Sequence, residues 1–549
     1  MADRLRLAAA CLWILGCHGA PTRAPDPAPP SAPSTAVDAP STAAALPSCR
    51  DRWSDTNAGD YDHGRDAKQS AHGNLGYSDY AARSERERCR KTWTVLVYMA
   101  ADNEDLPLHA YWNLDDIETT VGAASTQDHD VIVHLDLEDP SGLRRLHLFH
   151  DPQAEPATSA ADFAEATPAR IRSPIVDLRE DERRPAAEEL QDFVRWGIER
   201  YPAEHTAVVV WGHGQGWRPA GGSAGPVRYE EREGGFVGGI AFDHSQGEVL
   251  DIPSLAAALE AATDDAADTT RARLDLLLLD ACLMQSVEVA AALTDTADFI
   301  GAYEPIAPYP GLPYRTLLPR LDEDPPTAAI STCEATAAGR PCRFAASLPN
   351  LYAEAIRDGH YDRRTDTQPP AGSTFAISVI ASQPLRQRVL PSLEALARAL
   401  TAWIDEEPLR AIGLQDLLSP RGIPAFLGGA RDLGVTLRRL DHLAAQELAR
   451  ADSSSATTAA LQGKIAALQG DLAATVIATA AGTLYDTPRF DGGLSGLAIW
   501  LPRSAEELAA RIGDLSSAPT FRSNEGAPTA WRRWIEAVYG PPGPSSSSP

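Results

Sequence analysis

The sequence predicts an α/β protein: a mostly parallel sheet with helices on both faces, followed by a helical C-terminal subdomain. Two patterns in the 549 residues predict it. Apolar runs of strand length, among them Val131–Leu135, Val208–Trp211 and Leu276–Leu279, take turns with stretches of helical spacing, as in sheets covered by helices. Within each run the apolar residues are consecutive, the mark of strands buried on both faces. Two runs also end abruptly in reactive side chains, His213-Gly214 after one and Asp280-Ala281-Cys282 after the other. Open α/β sheets place their chemistry beyond the carboxyl ends of strands, so these two ends can be neighbours in space.

The N-terminal elements read as export and tethering. Arg4 and Arg6 precede an apolar stretch, Leu7 to Leu15, that is too short to span a bilayer. Ile14-Leu15-Gly16-Cys17 resembles a bacterial lipobox, in which Cys17 becomes the lipidated first residue of the mature protein. An ordinary signal peptide cut near Ala20 is the alternative. Acyl chains anchor through buried methylenes, about 0.8 kcal/mol each, so the expected protein is a cell-envelope lipoprotein, periplasmic or at the surface. Residues 18–47 are almost wholly Ala, Pro, Ser and Thr, which cannot bury enough apolar surface to order; they predict a disordered tether. Residues 48–92 form a polar N-terminal extension, and 540–549 a disordered tail.

The sheet domain is expected over 93–320. Trp93–Met99 is its first strand, Ala100–Asp105 a polar turn, and Leu106–Val121 a helix with Pro107 near its start. Val131–Leu135 is the second strand, and Leu143–Phe149 alternates like one member of a hairpin. Ala186–Arg200 is a helix with Leu190, Phe193, Val194, Trp196 and Gly197 on its inward face, and the His213 strand follows directly. Arg218–Gly238 is a long polar surface loop. Leu250–Ala262 is a helix begun by Asp251, with Pro253 in its first turn. After the Cys282 strand, Met284–Leu293 predicts a helix starting at the cysteine, where its N-terminal partial charge would favour a thiolate. Phe299–Tyr303 is a strand ending at Glu304. Residues 321–372 are a loop-rich connection. Over 373–539, Phe375–Ile380 is a strand, Leu385–Ile404, Leu433–Ala449 and Ala459–Ala480 are long helices, and Gly492–Pro502 returns to the sheet.

Charge and cysteines narrow the function. A formal net charge of −27 argues against a nucleic-acid or anionic-membrane surface. Of seven cysteines, Cys11 leaves with the signal and Cys17 carries lipid. Cys49 with Cys89, and Cys333 with Cys342, are expected disulfides of an oxidising compartment. Cys282 is left over, and an odd thiol in an exported protein is a nucleophile candidate; a buried, inert cysteine is the alternative.

An ordered series of segments resembles the clostripain family of cysteine peptidases, within the caspase-like group. It comprises Trp93 to Asn103, Tyr201-Pro202-Ala203, Trp211 to Trp217, Asp280-Ala281-Cys282-Leu283-Met284 with Glu288, Glu304 with Pro310-Gly311, and Gly496 to Pro502. The resemblance implies a caspase-like sheet and an endopeptidase acting on polypeptides. Cys282 would be the nucleophile, attacking through its thiolate, and His213 would protonate the leaving amine and then activate water. The N–H groups of Gly214 and Cys282 would form the oxyanion hole. His213 and Cys282 would stand too far apart for a resting ion pair. Asp280 would line the pocket for an Arg or Lys before the cut, by charge-assisted hydrogen bonding. Glu304 and Trp217 are further substrate-binding candidates. Asp102 and Asp243 also match family positions. Many family members carry a Gly-Trp-Asp-Tyr-like segment where this chain has Gly311-Leu312-Pro313-Tyr314; if a second pocket acid comes from there, it is missing here and Glu304 is only a partial substitute. Self-cleavage at Arg228 or Arg232 would mature the enzyme. No cofactor is implied, although some relatives use calcium; no EF-hand loop is visible.

Competing patterns are weaker. Gly221-Gly222-Ser223-Ala224-Gly225 has serine-hydrolase spacing but lacks the preceding strand. Gly212, Gly214 and Gly216 mimic a dinucleotide loop, yet Arg218-Pro219 follows where a helix should start. His129, His134, His147 and His150 lack a metal-binding framework, so no metal site is expected. The rival function is a non-catalytic surface lipoprotein that binds peptides or a partner protein.

Overall fold

Five apolar runs form the parallel centre of one sheet in the computed structural model of the chain. The model describes most of residues 90–539, together with 68–69 and 76–77. Outside it lie 1–67, 70–75, 78–89, 138–142, 159–170, 180–183, 219–226, 229–237, 265–272, 324–332, 334–338, 360–373, 451–455, 484–492, 540–549 and a few shorter segments. The expected signal, tether and tail, with Cys17, Cys49 and Cys89, are therefore outside the described residues.

The main strands are β1 (Lys91–Ala100), β2 (His129–Asp136), β3 (Leu143–His147), β4 (Ile175–Arg179) and β5 (Ala203–Trp211). After a small sheet of β6 (Val227–Arg228), β7 (Ile240–Asp243) and β8 (Glu248–Leu250), β9 (Leu274–Asp280), β10 (Ala297–Tyr303) and β11 (Thr374–Ala381) rejoin it. The spatial order β2-β1-β5-β9-β10 is parallel throughout. On one side β3 and β4 continue it antiparallel, with Lys68–Gln69 and Gly76–Tyr77 beyond. On the other side β11 is antiparallel to β10. Parallel strands need crossovers, and α2 (Ala186–Arg200) and α3 (Ile252–Thr263) supply two of them. Asp251 caps α3 as expected, accepting the Ser254 N–H at 2.8 Å.

Two apolar layers flank the sheet, because successive strand residues face opposite sides. One holds Val95, Val97, Val209, Leu276 and Leu278 against α1 (Pro107–Thr119) and α5 (Gly339–Arg357). The other holds Leu96, Val208, Leu277 and Leu279 against α2, α3 and the C-terminal helices α6 (Leu390–Glu406), α8 (Leu433–Arg450), α9 (Ala456–Thr475) and α11 (Ala530–Tyr539). The Cys333–Cys342 disulfide forms, with a Cα–Cα distance of 5.5 Å.

Three expected elements change. Within the connection expected to be loop-rich over 321–372, Gly339–Arg357 forms the helix α5, because Phe344, Leu348 and Tyr352 recur at helical spacing and pack on the sheet. The Ala-rich helix stops at Thr475, and Val476–Thr483 becomes an edge strand, β13, antiparallel to β11. Cross-strand pairing overrides the helix propensity of its alanines. The returning strand is Ala498–Trp500 (β14), and it pairs with Ala430–Asp432 (β12) in a separate two-stranded sheet. Its link towards the main sheet is a bridge between Ala498 and Ser286.

Candidate active site

Register brings the two reactive ends together. In the β5–β9 pair Trp211 stands opposite Asp280, and the Gly212 N–H points to the Asp280 carbonyl at 3.4 Å. His213 and Cys282 are each the second residue beyond that pair, so they leave the same end of adjacent strands. Gly214 lies directly on the cysteine segment: a Cβ there would sit 2.6 Å from the Cys282 carbonyl oxygen and 3.0 Å from its nitrogen. Only glycine tolerates that approach. Gly214 also bridges Ile240 of β7, through the Ala241 N–H to His213 carbonyl and Gln215 N–H to Gly239 carbonyl bonds. In such a pair the central residue's own N–H turns away from the partner strand.

Cys282 is the free cysteine among the described residues and is partly exposed. Its sulfur accepts the Ala307 N–H at 3.3 Å. Its neighbour Leu283 holds φ at +63°, a left-handed conformation uncommon for a branched side chain and typical of functional turns. The expected helix does not start at the cysteine. Helix α4 spans Val287–Ala292 and is capped by Ser286, whose hydroxyl accepts the Val289 N–H. The turn after Cys282 is fixed instead by bonds to the end of β10, so the helix-dipole argument for the thiolate falls away.

His213 Nε2 meets Asp105 Oδ1 at 2.8 Å. Sequence reasoning missed Asp105, since a lone acid in a polar turn after β1 carries no spacing signal.

Asp280 is 3% exposed and held by three donors: Tyr314 OH at 2.8 Å, the Leu312 N–H at 2.9 Å and Tyr303 OH at 3.2 Å. Burial pushes its pKa up to about 7, against the pull of those bonds. Gly311, at φ +71°, passes so close that a Cβ would lie 2.5 Å from the carboxylate. The segment that departs from the family pattern thus wraps Asp280 with backbone and a tyrosine.

Glu304 and Trp217 do not join the cleft. Glu304 is 1% exposed, and burial followed by the charge of Asp432 pushes its pKa well up. Trp217 packs against Phe521 and Trp500 in the core. A strand-end position marks a residue as near the site but says nothing about which way its side chain turns. Asp102 and Asp243 are buried, and Asp243 accepts the Gln246 N–H. Glu288 is also buried, accepts the Trp500 N–H at 3.0 Å, and is pushed up to about 7 by burial.

Three of the four histidines lie in sheet strands, and His150 follows β3. His129 bonds Asp322, His134 stacks on Tyr98, His147 bonds Asp130 and His150 bonds the Glu118 carbonyl. Among the described residues no three His, Cys, Asp or Glu side chains gather to hold a metal. Arg228 lies in β6, opposite Glu248; Arg232 lies outside the described residues.

The model of the clostripain family matches residues 97–408. No curated protein matches the chain. Among solved structures it is similar to a secreted C11 cysteine protease from Bacteroides thetaiotaomicron in complex with an irreversible peptide inhibitor. That likeness has 18% identity over 81% of this chain and 98% of that one, with a TM-score of 0.47. It is also similar to an inactive zymogen C11 protease from Parabacteroides distasonis, at 16% identity over 82% and 99%, with a TM-score of 0.48. The family match spans more than half of the chain and contains both reactive strand ends: the protein belongs to the clostripain family and is a cysteine peptidase.

Proposed function

We propose that the protein is an exported, lipid-anchored endopeptidase that cleaves after Arg or Lys, with Cys282 as nucleophile and His213 as acid and base. The observation that carries this is the register of β5 and β9, which sends both residues out of one sheet edge with Gly214 against Cys282. Cys282, having lost its thiol proton and with His213 protonated, attacks the scissile carbonyl carbon as the thiolate, and the carbonyl π pair moves onto oxygen. The Gly214 and Cys282 N–H groups steady that oxyanion. Collapse re-forms the carbonyl, breaks the C–N bond and leaves a thioester, while His213 gives its proton to the departing nitrogen. His213 then takes a proton from water, whose oxygen attacks the thioester and frees Cys282. The Asp105 carboxylate, on Nε2, orients the ring and leaves this proton traffic to Nδ1. The Ala307 N–H favours sulfur in its anionic form.

The basic preference rests on the resemblance that assigns Asp280 to the pocket; its carboxyl is 3% exposed, so a cation reaches it only when the 311–314 segment yields. A cationic side chain reaching it draws off the proton that burial holds there and pairs with the carboxylate. The scheme uses no cofactor, so activity in a chelator equal to that in calcium is expected. Anchoring rests on the Cys17 motif alone; among the described residues no helix is long and apolar enough to cross a membrane.

The test is a fluorogenic peptide panel varied at the residue before the cut, run on wild type and Cys282→Ala. Cleavage confined to Arg and Lys peptides, lost by at least about 1,000-fold in the variant, supports the proposal. Cleavage after other residues would discard the role of Asp280, and an active variant would discard the nucleophile.

A further inference from the structure

Behind the nucleophile a chain of polar groups runs from the 282–285 turn to Asp432. Leu283 N–H donates to the Pro305 carbonyl at 3.0 Å and Gln285 N–H to the Tyr303 carbonyl at 2.9 Å, so the 282–285 turn lies along the end of β10. Gln285 Nε2 donates to Ser378 Oγ at 2.7 Å, and the Ser378 hydroxyl donates to the Gly496 carbonyl. Beside Gly496, Ser495 donates its N–H and hydroxyl to Asp432 Oδ2 at 2.6 and 2.8 Å, and Val435 N–H donates to Oδ1 at 2.6 Å. Beside this chain of bonds lies the Glu304 carboxyl, both of whose oxygens are buried without a hydrogen bond of their own, and Asp432 is the neighbouring acid that acts on it. Glu304 in turn begins the 304–307 segment, whose Ala307 N–H meets the Cys282 sulfur.

Glu304 is 1% exposed and Asp432 is 0% exposed. Among the described residues Asp432 is the titratable group that acts on Glu304, and the Gly496 backbone is its other polar neighbour. The adjoining Arg431 guanidinium donates to the Gly429, Leu501 and Leu418 carbonyls, and Gln285, Ser378 and Ser495 are neutral. Two neighbouring carboxyl groups buried together resist ionising both at once, and a bond between them would take one proton.

We propose that Glu304 is a positioning residue for Cys282: a proton shared with Asp432 closes this chain into a ring and fixes the 282–285 and 304–307 turns around the sulfur. The inference rests on Cys282 being the nucleophile. Removing the proton sets two carboxylates face to face, opens the ring and misplaces the thiol while the rest of the chain stays folded.

The experiment compares full-length wild type with E304Q, E304A and D432N. Three quantities are followed against pH: kcat/KM, the rate of Cys282 alkylation by iodoacetamide, and thermal unfolding. In wild type, kcat/KM and alkylation are expected to fall together on the alkaline side, before unfolding begins. E304Q keeps a donor that does not ionise, so it should stay active near neutrality and shift the alkaline fall up by about one pH unit or more; D432N sets an amide nitrogen against the Val435 or Ser495 N–H and should lose activity as E304A does. E304A should lose about 100-fold in kcat with little change in KM. An E304Q profile superimposed on wild type would overturn the proposal, as would full activity in E304A. So would relief of the alkaline loss by added divalent cation, which would make the pair a cation site. If neither E304Q nor D432N folds, the pair serves the fold as a whole and the proposal is also overturned. Activity surviving in C282A would sink the nucleophile reading itself, a result independent of the Glu304 variants.

Discussion

Asp280 and His213 are single residues whose neighbours decide what they can do. Asp280 holds a proton up to about pH 7 because three donors do not outweigh complete burial. Protonated, it offers a cation little; ionised, it pairs with one. The kcat/KM for Arg and Lys peptides should therefore rise with pH through about 7, and Asp280→Asn should abolish that rise and cost roughly 10- to 100-fold on those peptides. Peptides with neutral residues at that position are the control and should show neither effect. For His213, Asp105→Asn should lower kcat about tenfold with KM unchanged, and Asp105→Glu should recover part of it. Stability carries a third signature. Glu288 is raised from 4.5 to about 7, so the folded state binds the extra proton. Its contribution is full below about pH 4.5 and is lost as pH rises through 7. Thermal melts of Glu288→Gln against wild type should show the variant gaining relative stability over that window; parallel curves would contradict it. Residue type and order made His213, Cys282, Gly214 and Asp280 legible in the sequence. Asp105 was not legible, because its meaning lies in a contact across the sheet end, and the inward turn of Glu304 depends on a partner 128 positions away.

At the scale of elements, continuous apolar runs announced the parallel strands, and Asp251 with Pro253 announced α3. The failures have one cause: local propensity is a weak prior once a pairing partner exists. Val476–Thr483 is alanine-rich, yet β11 recruits it as a strand. The Met284–Leu293 helix is delayed to Val287 because the 283–285 backbone bonds to Tyr303 and Pro305 instead. The excursion between β5 and β7 leaves and returns at Arg218 and Gly238, which touch. A cut within it would leave β5 and β9 paired in the sheet. If Arg228 or Arg232 is a self-cleavage site, purified enzyme should run as two bands on a denaturing gel and as one species in native sizing. Replacing both arginines, or Cys282, should leave a single band.

The whole molecule is organised around one sheet with an apolar layer on each face, and the C-terminal helices share a layer with α2 and α3. The sequence suggested a helical subdomain there; what packing adds is that β11, β13 and the Gly496–Trp500 segment brace the active-site end from behind. The proposed lipid anchor rests on Cys17, and on that proposal Cys17→Ser should move the protein from the membrane fraction to the soluble exported fraction with peptidase activity intact. The central claim is that Cys282 is the nucleophile. Its most direct test is stoichiometric labelling with an electrophilic Arg peptide, followed by mass mapping. One adduct per molecule, on Cys282, with complete loss of activity, is the result expected. Full inactivation with the adduct elsewhere, or full labelling of Cys282 with activity retained, would contradict it.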